Sequence, residues 1–241
     1  RLSAQRRAAA DRFANAVGDE LAHLAMGSAR IQVAVTPRPL GPHGADDVEI
    51  QLAANSGAPA RSVGRAASGG ELSRLMLAIE VVSVSGSTPA ALVPTFVPTF
   101  VPTFVFDEVD AGVGGKAGLD VGARLAALAT HAQVVAVTHL AQVAAFADRH
   151  LVVHKSDDGS VTASAVREVE GDERLRELAR MMGGGTSEAG LEHARVLLAE
   201  ATTRRRERHT AATEVAPARR AGAAKTRRGA RSPSAVAPDI T

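Results

Sequence analysis

The chain has 241 residues, with 28 Lys and Arg against 26 Asp and Glu for a formal charge of +2, and 45 % hydrophobic residues. That is room for one sizeable domain with extensions and enough apolar side chain for a core, which six Phe and no Trp or Tyr leave to Ala, Val and Leu. The absence of Cys excludes disulfides and thiolate metal sites, and no stretch reaches the ~18 consecutive apolar residues of a membrane-spanning helix.

The charge is unevenly divided. From Thr203 onward ten Lys and Arg stand against three acids, leaving eighteen basic and twenty-three acidic residues in the body, so the body alone is no basic nucleic-acid binder. The charged N-terminus has no signal-peptide apolar region, and the reading is a soluble, cytoplasmic protein with no membrane partner.

Residues 3–26 place Phe13, Val17, Leu21 and Leu24 among Arg, Asp and Glu at helical spacing, which predicts an amphipathic helix. Ile31 to Val35 and Val48 to Leu52 alternate as strands of a small antiparallel element, with Pro37 to Asp46 as their connector. Asn55 to Ala67 reads as a loop carrying Arg61 and Arg65, which either approach phosphate or are simply solvated.

The stretch from Arg65 to His139 holds three chemically suggestive pieces. In RAASGGELSRLMLAIE, Ser68, Gly69 and Gly70 precede an apolar run (Leu72, Leu75, Met76, Ile79), so Ser68 reads as a helix N-cap. A helix start offers unpaired N–H groups and a positive dipole end to an anion, and glycine admits a phosphate oxygen; an ordinary capped helix is the plain alternative. Val101 to Phe106 then predicts a buried strand tipped by Asp107 and Glu108, at the edge where ligands of α/β sheets collect. An Asp there can hold Mg²⁺, and the next Glu can face the water that attacks a γ-phosphate. Gln133 to Val137 predicts a second buried strand, followed by Thr138 and His139, with a helix from Leu119 to Leu128 between the strands to complete a βαβ unit.

Between the first two pieces, VPTFVPTFVPTF from Val93 to Phe104 repeats a four-residue unit three times. Pro94, Pro98 and Pro102 cannot all sit in a central ladder, so the first two copies predict an exposed loop whose deletion leaves folding intact. Beyond His139 the pattern gives a short helix from Leu140 to Ala147, then a hairpin of Leu151 to Lys155 with Val161 to Val169 around Asp157-Asp158-Gly159. Helices at Asp172 to Met182 and Ser187 to Ala201 follow, separated by Gly183-Gly184-Gly185. From Thr203 the apolar pattern stops, which predicts a disordered basic tail, either a sequence-independent DNA contact or a solubilising extension.

Taken together, ASGGE before a helix, FVFDEVDAGVGG and VTH resemble the signature motif, Walker B, D-loop and switch histidine of ABC-type ATPase heads. The longer strings SGGELSRLMLAIE, FVFDEVDAGVGGKAG and VTHLAQVAAFADRHLVVHK resemble the C-terminal half of the bacterial RecN family, relatives of SMC and Rad50, over roughly residues 1 to 202. The resemblance implies an α/β fold, the C-terminal lobe of an ABC-type head: residues 1–27 as the end of a coiled-coil arm, 28–202 as the lobe and 203–241 as the tail. It implies ATP and Mg²⁺ as cofactors, with Ser68, Gly69, Gly70 and Glu71 in the signature, Asp107 on magnesium, Glu108 as general base, Asp110 in the D-loop and His139 as the switch. The implied partners are a P-loop-bearing N-terminal half, a second head across sandwiched ATP, and DNA.

No G-x-x-x-x-G-K-[ST] occurs in the chain. Gly114-Gly115-Lys116 is followed by Ala117, which has no hydroxyl for Mg²⁺, and Asp110 stands where the first Gly of that loop belongs. The expectation is a recombinational-repair ATPase segment inactive by itself. A non-catalytic fragment and a transporter nucleotide-binding subunit are the alternatives.

Overall fold

The computed structural model describes residues 1–42, 44–86, 101–157, 162–185 and 187–227. Helix α1 (Leu2–His23) buries Ala10, Val17 and Leu21, so its second half is seated on the body. It leads into β1 (Arg30–Gly41), which pairs antiparallel with β2 (Gly44–Ala53), and β2 pairs in turn with the short β3 (Arg61–Ser62). The expected connector Pro37 to Asp46 is largely strand. Pairing continues to Pro37↔Asp46, and the register shifts between Pro37 and Gly41, where a proline without an N–H is tolerated. Asp46 locks the helix to this hairpin by accepting from Ser3 Oγ at 2.9 Å and Arg6 Nη1 at 2.5 Å. Those two bonds, Arg6 first, hold its carboxyl below the ordinary Asp range.

A single turn, α2 (Val63–Ala66), precedes α3 (Gly69–Gly86). The buried stripe of α3 is Gly70, Arg74, Leu77, Ala78 and Val81 together with Leu75, whereas Leu72 and Met76 are exposed. The stripe is thus rotated from the one expected, because a helix with apolar residues on several faces does not declare which face will pack.

Strand β4 (Thr103–Phe106) runs parallel to β5 (Gln133–Ala136) through α4 (Lys116–Leu128), confirming the βαβ unit. The strands are not buried on both faces as expected. Phe106 is buried and Phe104, Val134 and Ala136 pack on the core, while Val105, Val135 and Val137 stand 69 %, 44 % and 57 % exposed on the opposite face. Successive residues point to opposite sides of a sheet, and among the described residues only one side is covered.

Helix α4 joins two cores. Val121, Leu125 and Leu128 enter a cluster with Val17, Leu21, Leu52, Leu75 and Phe106, while Leu119 and Ala123 enter a second with Phe146, Leu178 and Leu197. After the short α5 (Ala141–Ala144), β6 (His150–Asp157) and β7 (Thr162–Val169) form the expected antiparallel hairpin, in register at Val153↔Val166; its turn lies outside the described residues. The first two VPTF copies lie outside them too.

Helix α6 (Gly171–Met181) carries the second cluster to α7 (Glu188–Arg227). The structure differs here from the expected disordered tail, since α7 continues through Thr203 to Arg227. Ala, Arg and Glu are strong helix formers and need no apolar face to continue a helix already started. Its base is tied down: Arg204 reaches Asp120 at 3.1 Å and Glu200 at 2.8 Å, and Arg205 reaches Asp148 at 2.7 Å. Among the described residues no helix is long and apolar enough to cross a membrane.

Candidate functional site

Three sequence-distant pieces meet at the C-terminal edge of the β4–β5 pair. Parallel strands put Asp107 and Glu108 beside Thr138 and His139, because Phe106↔Ala136 is the last pair before both turns. The start of α3 packs against this edge, and the neighbouring backbone shows how closely. A Cβ on Gly69 would lie 2.6 Å from Glu108 Oε2, and one on Gly70 would lie 2.7 Å from Ala111 Cβ and 3.0 Å from Glu108 O. Glycine at position 70 is therefore a packing requirement as well as a helix-start preference.

The cap differs from the simple one expected. Glu71 Oε2 accepts the Ser68 backbone N–H at 2.9 Å and the Ser68 hydroxyl at 3.0 Å, the acidic half of a capping box. Those bonds, the backbone one first, depress the Glu71 pKa. Ser68 and Gly69 are exposed, and the N–H groups of Gly69 and Gly70 meet no acceptor among the described residues. Such a pair of free amides at the start of an 18-residue helix suits an anion.

The acid pair is exposed. Asp107 Oδ1 accepts the Glu108 N–H at 2.9 Å, which leaves its other carboxylate oxygen open to a cation, and Asp107 O accepts the Ser73 hydroxyl at 2.5 Å. Glu108 has φ +55°, a left-handed conformation that a non-glycine residue seldom adopts and that aims its side chain toward α3. Among the described residues no three His, Asp or Glu side chains form a metal cluster. The donor set fits a Mg²⁺ that keeps one carboxylate and completes its shell with water and phosphate oxygens.

Asp110, unlike Asp107 and Glu108, is turned inward and is 2 % exposed. Its Oδ2 accepts Thr138 Oγ1 at 2.5 Å and the His139 N–H at 3.0 Å, with His139 Nδ1 at 3.1 Å. Gly114 and Gly115 lie in the turn leading into α4, and with Ala117 after Lys116 and Asp110 at the first Gly position the segment lacks the residues of a nucleotide loop.

The roles of three residues escaped the sequence reading. Ser73 and Arg74 bolt α3 to the acid loop: Arg74 is 6 % exposed and its Nη1 donates to Ala111 O at 2.7 Å and Val109 O at 3.5 Å. Burial lowers the Arg74 pKa, against the opposing pull of Glu71 and Asp110. Thr138, the third, bridges Asp110 to the Leu140 N–H. The buried stripe that carries Arg74 is visible only in the structure, and nothing local in the sequence marked these roles.

No family model matches the chain. Among curated proteins, DNA repair protein RecN of Streptomyces coelicolor is 54 % identical over 82 % of this chain and 35 % of that protein. RecN of Mycobacterium leprae is 45 % identical, with the same coverage of both. RecN of Treponema pallidum is 41 % identical over 85 % of this chain and 35 % of that protein. Among solved structures, the Smc head domain with a coiled coil and joint from Pyrococcus yayanosii aligns with 71 % of this chain and 29 % of that one, at 20 % identity and TM-score 0.48. The Smc head domain of Pyrococcus furiosus bound to the C-terminal domain of ScpA aligns with 71 % and 38 %, at 20 % identity and TM-score 0.45. The chain spans about a third of the length of the curated relatives it matches. By these sequence relationships it is similar, over the third of their length that it spans, to the DNA repair proteins RecN.

Proposed function

We propose that this chain supplies half of the ATP machinery of a RecN-type ATPase head that acts in recombinational repair of DNA double-strand breaks. The observation that carries the reading is the convergence of Gly69, Glu108 and His139, from three separated motifs, on one strand edge. The free amides of Gly69 and Gly70, with Ser68 and Glu71 as their cap, receive the γ-phosphate of ATP held by a second head. Asp107 holds Mg²⁺, which supplies charge neutralisation at the phosphates when bound. Glu108 takes the proton of the attacking water, and His139 contacts the γ-phosphate.

The nucleotide loop comes from a P-loop half outside this sequence. The Val105, Val135 and Val137 face, uncovered among the described residues, is its seat, since an apolar sheet face of this kind calls for a covering layer. Residues 1–27 are the end of an arm, 28–202 the lobe and 203–241 a basic extension whose arginines neutralise DNA phosphates without sequence preference. Head closure on ATP and reopening on hydrolysis then tether DNA ends.

Co-expression with a P-loop-bearing N-terminal half tests this. The expected result is ATP hydrolysis that Glu108→Gln abolishes while ATP binding persists. A complex that binds the half but never hydrolyses ATP supports the non-catalytic reading instead. Truncation at Thr203 is expected to weaken DNA binding at low salt; unchanged affinity removes the tail from the model of DNA contact.

A further inference from the structure

The turn between β5 and α5 is wound about a single carboxylate oxygen. Asp110 Oδ2, supplied by a loop 28 residues earlier than Thr138, takes the Thr138 hydroxyl and the His139 backbone N–H, with His139 Nδ1 3.1 Å away, and Thr138 Oγ1 in turn accepts the Leu140 N–H at 3.0 Å. The carboxylate side chain is 3 % exposed and the imidazole 73 % exposed. One ring nitrogen therefore lies 3.1 Å from a buried carboxylate oxygen while most of the ring stands in solvent. An ionised carboxylate only accepts, so a neutral imidazole held against one keeps its proton on the nearer nitrogen.

The anchor is itself held. Arg74 of α3 donates to the carbonyls on either side of Asp110, those of Val109 and Ala111, and Ser73 donates to Asp107 O. The helix that presents the Gly69 and Gly70 amides is thus connected through two side chains to the loop that fixes His139.

We propose that Asp110 is a positioning residue for His139: it sets the imidazole tautomer and aims Nε2 at the rim where Asp107 and Glu108 lie, instead of contacting nucleotide itself. This rests on the assignment of His139 made above. The device resembles an orienting carboxylate behind a catalytic imidazole, in which loss of the anchor harms the reaction without touching substrate.

The first test needs neither nucleotide nor partner. Long-range proton–nitrogen NMR correlations of the full chain, with His139 assigned by comparison with His139→Gln, are expected to show the Nδ1-protonated tautomer. Asp110→Ala is expected to lose that preference, and so is Asp110→Asn, because an amide in the carboxylate's place can turn its N–H to the ring and favour the other tautomer. An Nε2-protonated ring in the unsubstituted protein, or a tautomer unchanged by Asp110→Ala, overturns the proposal. The unsubstituted measurement decides even if Asp110→Ala does not fold.

The second test uses the chain with its P-loop half. Asp110→Ala is expected to lower kcat about a hundredfold with KM little changed. Added to His139→Ala it is expected to cost nothing more, because the two residues act as a unit. Independent, multiplying losses overturn the proposal. Absence of hydrolysis by the unsubstituted pair refutes the proposed function and leaves the tautomer result to decide on Asp110.

Discussion

Replacing Gly70 by alanine sets two effects of opposite sign against each other at the centre of the candidate site. Alanine is favoured over glycine within a helix by up to about 1 kcal/mol. Against this, the added methyl would sit 2.7 Å from Ala111 Cβ and 3.0 Å from Glu108 O, where ordinary carbon contacts are about 3.5–4.0 Å. Neither neighbour is the end of a flexible side chain, so α3 or the 108–111 loop must retreat by about 1 Å, an overpacking that costs about 1–3 kcal/mol. The net expectation is a loss of about 1–2 kcal/mol, or a fall in Tm of about 2–8 °C for a chain of this size. Thermal and urea unfolding followed by far-ultraviolet circular dichroism measure it. Gly64→Ala, whose methyl meets nothing within 4 Å, is the control and should stay within about 0.5 kcal/mol. A Gly70→Ala protein as stable as the control would refute the close packing of α3 on the acid loop.

Gly122→Ala should also destabilise, by about 1–3 kcal/mol in urea unfolding, because its methyl would overlap the Phe146 ring and approach Gln142 O at 3.1 Å. Buried Arg124, whose Nε meets Glu20 Oε2 at 2.8 Å, ties α4 to α1; Glu20→Ala should cost more (about 3 kcal/mol) than Arg124→Met (about 1 kcal/mol), since only the former strands a buried charge. His150 is held below the ordinary histidine pKa by burial and then by Arg174, with Glu177 opposing, and its Nδ1 has no hydrogen-bond partner among the described residues. The neutral form belongs to the folded state, so its contribution is complete above about pH 6.5 and is lost as pH falls toward the depressed folded value. His150→Phe should flatten that part of the stability profile, measured as Tm against pH.

Much of the architecture was legible because it follows from spacing. The apolar runs Val101 to Phe106 and Gln133 to Val137, joined by an apolar-faced segment, specified a parallel pair and the side of it on which Asp107 and His139 had to meet. Three things were hidden for a common reason: they depend on what approaches from elsewhere. The stripe of α3 is chosen by the loop it packs on, the inward turn of Asp110 by Thr138 and His139, and the continuation of α7 by anchors at Asp120 and Asp148. Pro37 and Pro39 argued locally for a connector, yet the long antiparallel pairing of β1 with β2 carried through the first of them.

The β4–β5 ladder has a consequence for handling the protein. Among the described residues each strand pairs only with the other, so both outer rows of backbone N–H and C=O groups border an uncovered valine face with no Lys or Pro between Thr103 and Phe106 or between Gln133 and Ala136. Edges of that kind template further strands. Self-association that grows with concentration, and that a charged residue at Val105 or Val135 suppresses, is the behaviour such an unguarded ladder dictates.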